Sequence, residues 1–112
     1  MAMNAEPPNE LDPRGVDELR RRGAPCQLID VREPWEVEIC AVADSVNIPM
    51  SQLPARLGEI ARDRPIVVIC HHGRRSAEAA AWLRRQGFSR TINLRGGVDA
   101  WARDVDPTMP VY

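Results

Sequence analysis

Apolar residues along this 112-residue chain follow two rhythms. One is the short unbroken run: Ile66 to Ile69 in "PIVVIC" are four branched apolar residues in succession, the mark of a strand buried on both faces of a parallel sheet. Briefer runs, "CQLID" (26–30), "SVNIP" (45–49) and "TINL" (91–94), predict further strands. The other rhythm is helical. Val16 and Leu19 in "RGVDELRRRG" (14–23), Leu53, Leu57 and Ile60 in "SQLPARLGEIAR" (51–62), and Ala79, Ala80 and Leu83 in "SAEAAAWLRRQGF" (76–88) recur at the spacing that gathers side chains on one helix face. "PWEVEIC" (34–40) opens on proline and predicts a short helix after a turn, and "GGVDAWARDV" (96–105) predicts the last helix. Arginines close the first helix ahead of Gly23, where cations complement the dipole, and Ser51 is placed to cap its segment. Gly87 suits the left-handed position after a helix, with Phe88 folding back on the last turn. Strands alternating with helices over short links predict an α/β fold, an open sheet with helices on both faces.

Length and composition narrow this picture. The chain supports one core and one domain, with the polar, proline-bearing residues 1–10 read as a loose tail and 11–112 as the domain. A net charge of -1 gives no global attraction to nucleic acid or to an anionic membrane. No segment is long and apolar enough to span a bilayer, and the start lacks the basic-then-apolar pattern of a leader, so the expectation is a cytoplasmic protein. Trp35, Trp82 and Trp101 read as core or half-buried packing. Three cysteines, Cys26, Cys40 and Cys70, form no CxxC pair, which argues against a disulfide framework and a zinc ribbon. Cys26 and Cys40 lie in apolar surroundings and read as small buried hydrophobes, a resolving role for Cys40 being the alternative.

The chemistry gathers in "ICHHGRRS" (69–76), between the clearest strand and the alanine-rich helix. In open α/β sheets reactive groups collect where the carboxyl ends of strands meet helix N-termini, and two predicted strands end on such a group, Asp30 and Cys70. A strand that turns straight into a helix leaves N–H groups unpaired, and these with the dipole favour an anion there. Cys70 is placed to supply it as a thiolate, with Arg74 and Arg75 nearby and Gly73 allowing the backbone to curl around a small anion. His71 and His72 read as solvent-facing loop residues lining an entrance. A metal would need further ligands, so none is expected. Asp30 has a plainer alternative as a cap of the next helix, and "RGG" (95–97) reads as a turn.

"CHHGRRS" resembles the active-site loop of the rhodanese family of sulfurtransferases, with Cys70, Gly73, Arg75 and Ser76 in the fixed places. "LIDVREPWEVEI" resembles the family's acidic strand end, "SVNIP" its next strand and "NLRGGVDAWARDVDP" its C-terminal signature, so the likeness runs from about Leu11 to Pro110. "CAVADSVNIP" departs, standing where the family has a His-Ile-Pro-Gly-Ala type turn, which leaves the path near Ala43 and Asp44 to the structure.

The resemblance implies a rhodanese-like three-layer fold around a five-stranded parallel sheet, and a Cys70 persulfide that carries sulfur from a donor such as thiosulfate to cyanide, a thiol or a protein. It implies no cofactor. His71, His72, Gly73, Arg74, Arg75 and Ser76 would bind the substrate, Arg74 attracting a small anionic donor. Asp30 and Arg32 would orient the loop, with Arg75 turned back toward Asp30. The tail "AWARDVDPTMPVY" resembles that of rhodanese domains that stand alone or are joined to ubiquitin-activating-type enzymes, which implies a protein acceptor. Two other readings stand beside this one. Rhodanese-like domains also serve as non-catalytic interaction modules, and cysteine phosphatases or arsenate reductases use a similar loop, one residue longer and so wider. The sequence says nothing of oligomeric state.

Overall fold

The computed structural model describes residues 9–23 and 25–112. Five strands, β1 (Glu10–Leu11), β2 (Gln27–Asp30), β3 (Val46–Asn47), β4 (Ile66–Ile69) and β5 (Thr91–Leu94), form one sheet in the order β1-β5-β4-β2-β3. All neighbours run parallel, with Asp30 opposite Ile69 and Val68 opposite Asn93. The carboxyl ends of β2, β4 and β5 therefore meet along one edge. The helices are α1 (Pro13–Arg21), α2 (Pro34–Ile39), α3 (Arg74–Arg85) and α4 (Gly97–Asp104).

The period of two along β4 divides its side chains between two cores. Val67 and Ile69 pack on one face with Val16 of α1 and Val98, Trp101 and Ala102 of α4. Ile66 and Val68 pack on the other with Ala79, Ala80 and Leu83 of α3 and with Leu53, Ile60 and Phe88. Helices thus cover both faces, as the unbroken apolar run of β4 requires. No helix among the described residues is long and apolar enough to cross a membrane.

Several expectations need correction. Glu10 does not belong to a loose tail: it opens β1 and pairs with Asn93. Asn9 is held as well, its carbonyl accepting the Asn93 N–H at 2.9 Å, and residues 1–8 lie outside the described residues. The segment 51–62 is not an α-helix but two 3-10 helices, Met50–Gln52 and Pro54–Glu59. Pro54 has no N–H to donate and Arg56 leaves helical angles at φ -118, which breaks the ladder, and Ser51 caps nothing. Leu53 and Ile60 are nevertheless buried as their spacing predicts. Trp101 is buried and Trp82 half-buried, whereas Trp35 stands 62% exposed on α2. After α3, Gly87 takes φ +97 and the Phe88 N–H donates to the Leu83 carbonyl at 3.0 Å, the reversal expected there.

Candidate active site

β4 ends at Ile69, and the chain turns at Cys70 into a tight loop that becomes α3 already at Arg74. Gly73 is the N-cap at φ 96, a left-handed angle that side chains resist, and a Cβ there would stand 2.9 Å from the Gly96 nitrogen. The loop closes on its own sulfur. Cys70 is 1% exposed, and its Sγ accepts from the Gly73 N–H at 3.1 Å and lies 3.2 Å from Ser76 Oγ. A backbone N–H aimed at sulfur stabilises a thiolate more than a thiol.

The Gly96–Gly97 pair presses on this loop from beneath. Val98 and Asp99, in the first turn of α4, donate their N–H groups to the carbonyls of Cys70 and His71 at 2.9 and 3.1 Å. Gly97, at φ +62, permits that approach: a Cβ there would collide with both carbonyl oxygens. "RGG" is therefore a turn, as expected, and also the floor of the Cys70 loop.

The charged side chains pair differently from expectation. Arg75 does not turn toward Asp30. Its Nη1 and Nη2 both donate at 2.8 Å to the carboxylate of Glu36 on α2. Asp30 is taken by Arg32: Nε donates to Oδ1 at 2.9 Å and Nη2 to Oδ2 at 2.7 Å, both side chains being 0% exposed. The reason is reach. Arg32 lies two residues beyond the strand end and folds back on it, while Glu36, one turn into α2, faces the loop. Arg32 also donates to the Cys40 carbonyl at 2.7 Å and to the Tyr112 hydroxyl at 2.8 Å. That hydroxyl in turn donates to Glu36 Oε1 at 2.9 Å. One network thus runs from Asp30 through Arg32, Tyr112 and Glu36 to Arg75.

Hydrogen bonds from Arg75, helped by the Glu33 N–H and the Tyr112 hydroxyl and opposed by burial, hold the Glu36 carboxyl down at about 2 from an ordinary 4.5. A depressed carboxyl stabilises the fold at pH values above its unfolded value, and that contribution is lost as pH falls through the folded one. The urea midpoint of Glu36→Gln should therefore lie below that of the parent at neutral pH. The difference should close as pH drops from about 4.5 toward about 2. A gap that persists unchanged at the acid end would show that Glu36 acts by packing and not by charge.

Glu36, Tyr112 and Asn93 escaped the sequence reading, as did the part that Gly97 of the expected turn plays under the loop. Only Glu36 carried a local signal, the Glu33/Glu36 capping box at the start of α2. The entrance is partly aromatic: the Tyr112 ring stacks on His71 with centroids 3.8 Å apart, His71 on His72 at 3.9 Å, and Trp35 meets Tyr112 edge-on at 6.3 Å. Burial and the neighbouring His72 push the His71 imidazole below its usual value, and its Nε2 is buried without a hydrogen-bond partner. His72 and Arg74 are exposed, whereas His71 is half-buried between Tyr112 and His72 and not the solvent-facing residue expected, and Arg74 makes no ion pair among the described residues.

Asp99 brings a third donor atom within 4.8 Å of the two histidines, a grouping the sequence did not disclose. It fits a metal poorly, since imidazole lone pairs lie in the ring plane and stacked rings only 29° from parallel do not aim them at one point. Cys40 is buried in the α1/α4 core while Cys70 belongs to the α3 core, so the sheet separates the two thiols. Beyond Cys40 the chain turns through Asp44 at φ 70, with Ser45 N–H and Oγ both donating to the Val42 carbonyl.

The model of the Rhodanese-like domain family matches residues 15–104. A sulfurtransferase of Allochromatium vinosum is 39% identical over 95 residues, which cover 85% of this chain and 89% of the relative. The thiosulfate sulfurtransferase GlpE of Pseudomonas syringae is 37% identical over 91 residues, 81% of this chain and 84% of its own. Among solved structures, a rhodanese-related protein of Thermoplasma volcanium superposes with a TM-score of 0.76 at 31% identity, over 93% of this chain and 97% of that one.

Proposed function

Because the chain belongs to the rhodanese-like domain family of sulfurtransferases, we propose that it takes sulfane sulfur from an anionic donor of the thiosulfate type onto Cys70 and passes it to a thiophilic acceptor. The observation that carries this reading is the sulfur at the end of β4, enclosed by the loop and accepting the Gly73 N–H at 3.1 Å. In the first step the Cys70 thiolate attacks the outer sulfur of thiosulfate. The new S–S bond forms as the donor's breaks, and sulfite leaves with the electron pair. In the second, cyanide or a thiolate, free or on a protein, attacks the outer persulfide sulfur and returns the pair to Cys70. The charge of the persulfide rests on the amides of the loop from His71 to Ser76, as an oxyanion rests in its hole.

The side chains divide the remaining work. Exposed Arg74 attracts the donor anion, while Arg75 is held by Glu36 and shapes the loop. Asp30 and Arg32 brace the strand end behind it, and His71 and His72 wall the entrance. Mass spectrometry tests the reading: incubation with thiosulfate should add one sulfur to the chain, and cyanide or dithiothreitol should remove it. A chain that gains no mass under donor excess, or that instead hydrolyses a phosphate monoester, overturns it.

A further inference from the structure

Ser76 has one hydroxyl proton and two claimants for it. Its Oγ lies 3.2 Å from Cys70 Sγ and also within hydrogen-bond distance of Asn93 Oδ1. Ser76 is wholly buried and Asn93 nearly so, so water does not settle the competition. The Asn93 amide does. Its Nδ2 donates to Glu10 Oε2 at 3.0 Å and to the Gly73 carbonyl at 3.2 Å, two groups that only accept. Turning the amide over would set its oxygen against both. Asn93 therefore presents Oδ1 to Ser76, and an amide oxygen can only accept. The serine proton is committed to Asn93, and what Ser76 offers the sulfur is a lone pair.

A lone pair suits a thiol, whose S–H it accepts, and opposes a thiolate. When Cys70 loses its proton, the Ser76 hydroxyl must turn to the sulfur and leave Oδ1 unpaired in a buried site. We infer that Asn93 is a positioning residue that holds the Ser76 proton away from the sulfur and so sets how much of Cys70 is ionised at rest. β1 takes part, because Glu10 fixes the amide. This inference rests on Cys70 being the reactive sulfur. It adds that the thiolate is deliberately restrained, with the Gly73 N–H favouring it and the Asn93 pair opposing it.

Thiolate absorbance reads the effect without any sulfur donor. The ultraviolet thiolate band of Cys70, taken as the difference from the matching Cys70→Ser chain, is compared near neutral pH with its full value in alkali. Asn93→Leu keeps the size and removes the acceptor. It should raise the thiolate-to-thiol ratio about two- to tenfold, the worth of one hydrogen bond. In a Ser76→Ala background the same substitution should leave the ratio unchanged, because no proton remains to redirect. A general loosening of the loop would act in both backgrounds.

Should Asn93→Leu not fold, Glu10→Gln is the second arm. A glutamine there can donate, which frees the amide to turn and should raise the ratio in the same direction by less. A ratio that falls or stays constant in the variant that folds, or a rise that survives Ser76→Ala, overturns the inference. Sulfur loading is scored separately by mass, so a chain that loads no sulfur yet shows the rise fails the proposed function and not the role of Asn93.

Discussion

Serine at position 70 is expected to abolish sulfur loading and leave the fold intact. The loss follows from the nucleophile. A hydroxyl stays protonated near neutral pH and attacks sulfane sulfur poorly, and removing a nucleophile that works as part of a unit costs on the order of 10^3-fold or more. Retention of the fold follows from the site. Cys70 is 1% exposed at the strand end, and a serine oxygen in its place can accept the same Gly73 N–H. Stability within about 1 kcal/mol of the parent is expected, as for other near-isosteric replacements. Cys40→Ser should still load, since Cys40 packs on the other side of the sheet. The measurement is the sulfur mass gain of each variant beside its urea midpoint. A Cys70→Ser chain that still acquires cyanide-labile sulfur would move the chemistry to another thiol.

The largest effect on stability is expected from Asp30→Ala. Arg32 is wholly buried, and Asp30 is the carboxylate that faces it with two oxygens, so its removal strands a guanidinium in the protein interior. Breaking one side of such a pair typically costs about 3–5 kcal/mol, because the remaining charge keeps its desolvation penalty and loses its compensation. The carbonyl of Cys40 and the Tyr112 hydroxyl stay in contact with Arg32 but carry no full opposing charge. The urea midpoint should fall with little change in slope. A double variant, Asp30→Leu with Arg32→Met, should recover much of the loss, since an apolar pair of similar volume is often neutral or better than a buried ion pair. If Asp30→Ala loses less than about 1 kcal/mol, Arg32 escapes to solvent in the variant and the buried network does not hold the strand end.

The two charge pairs show where sequence reasoning reached and where it stopped. Asp30 and Arg75 were legible locally, as an acid at a strand end and an arginine at a helix start, and Arg32 entered through the family resemblance. Who pairs with whom was not legible. Pairing depends on the distance across the gap between α2 and α3, and nothing within a few residues of Arg75 measures that distance. Glu36 is 39 residues away in sequence and 2.8 Å away in space. The same holds for β1. Two residues are too short a run for any periodicity, and Glu10–Leu11 becomes a strand only because β5 offers it an unpaired edge.

The long turn after β3 failed for a different reason. Leu53, Leu57 and Ile60 kept their inward spacing, but apolar spacing specifies which side chains face the core and is indifferent to whether the backbone winds as α or 3-10. Pro54 decided that locally, by the donor it lacks.

By itself, the sequence determined the alternation of strand and helix, the strand buried on both faces, and a cysteine in an anion-favouring turn, because these rest on contacts within a few residues of one another. Only the tertiary structure decided that Glu36 holds Arg75, that Arg32 holds Asp30, that Tyr112 closes their network, and that Gly97 and Asn93 underlie the Cys70 loop. Those choices depend on which elements the sheet order sets side by side, and buried hydrogen-bonding groups then take the partners that packing brings within reach.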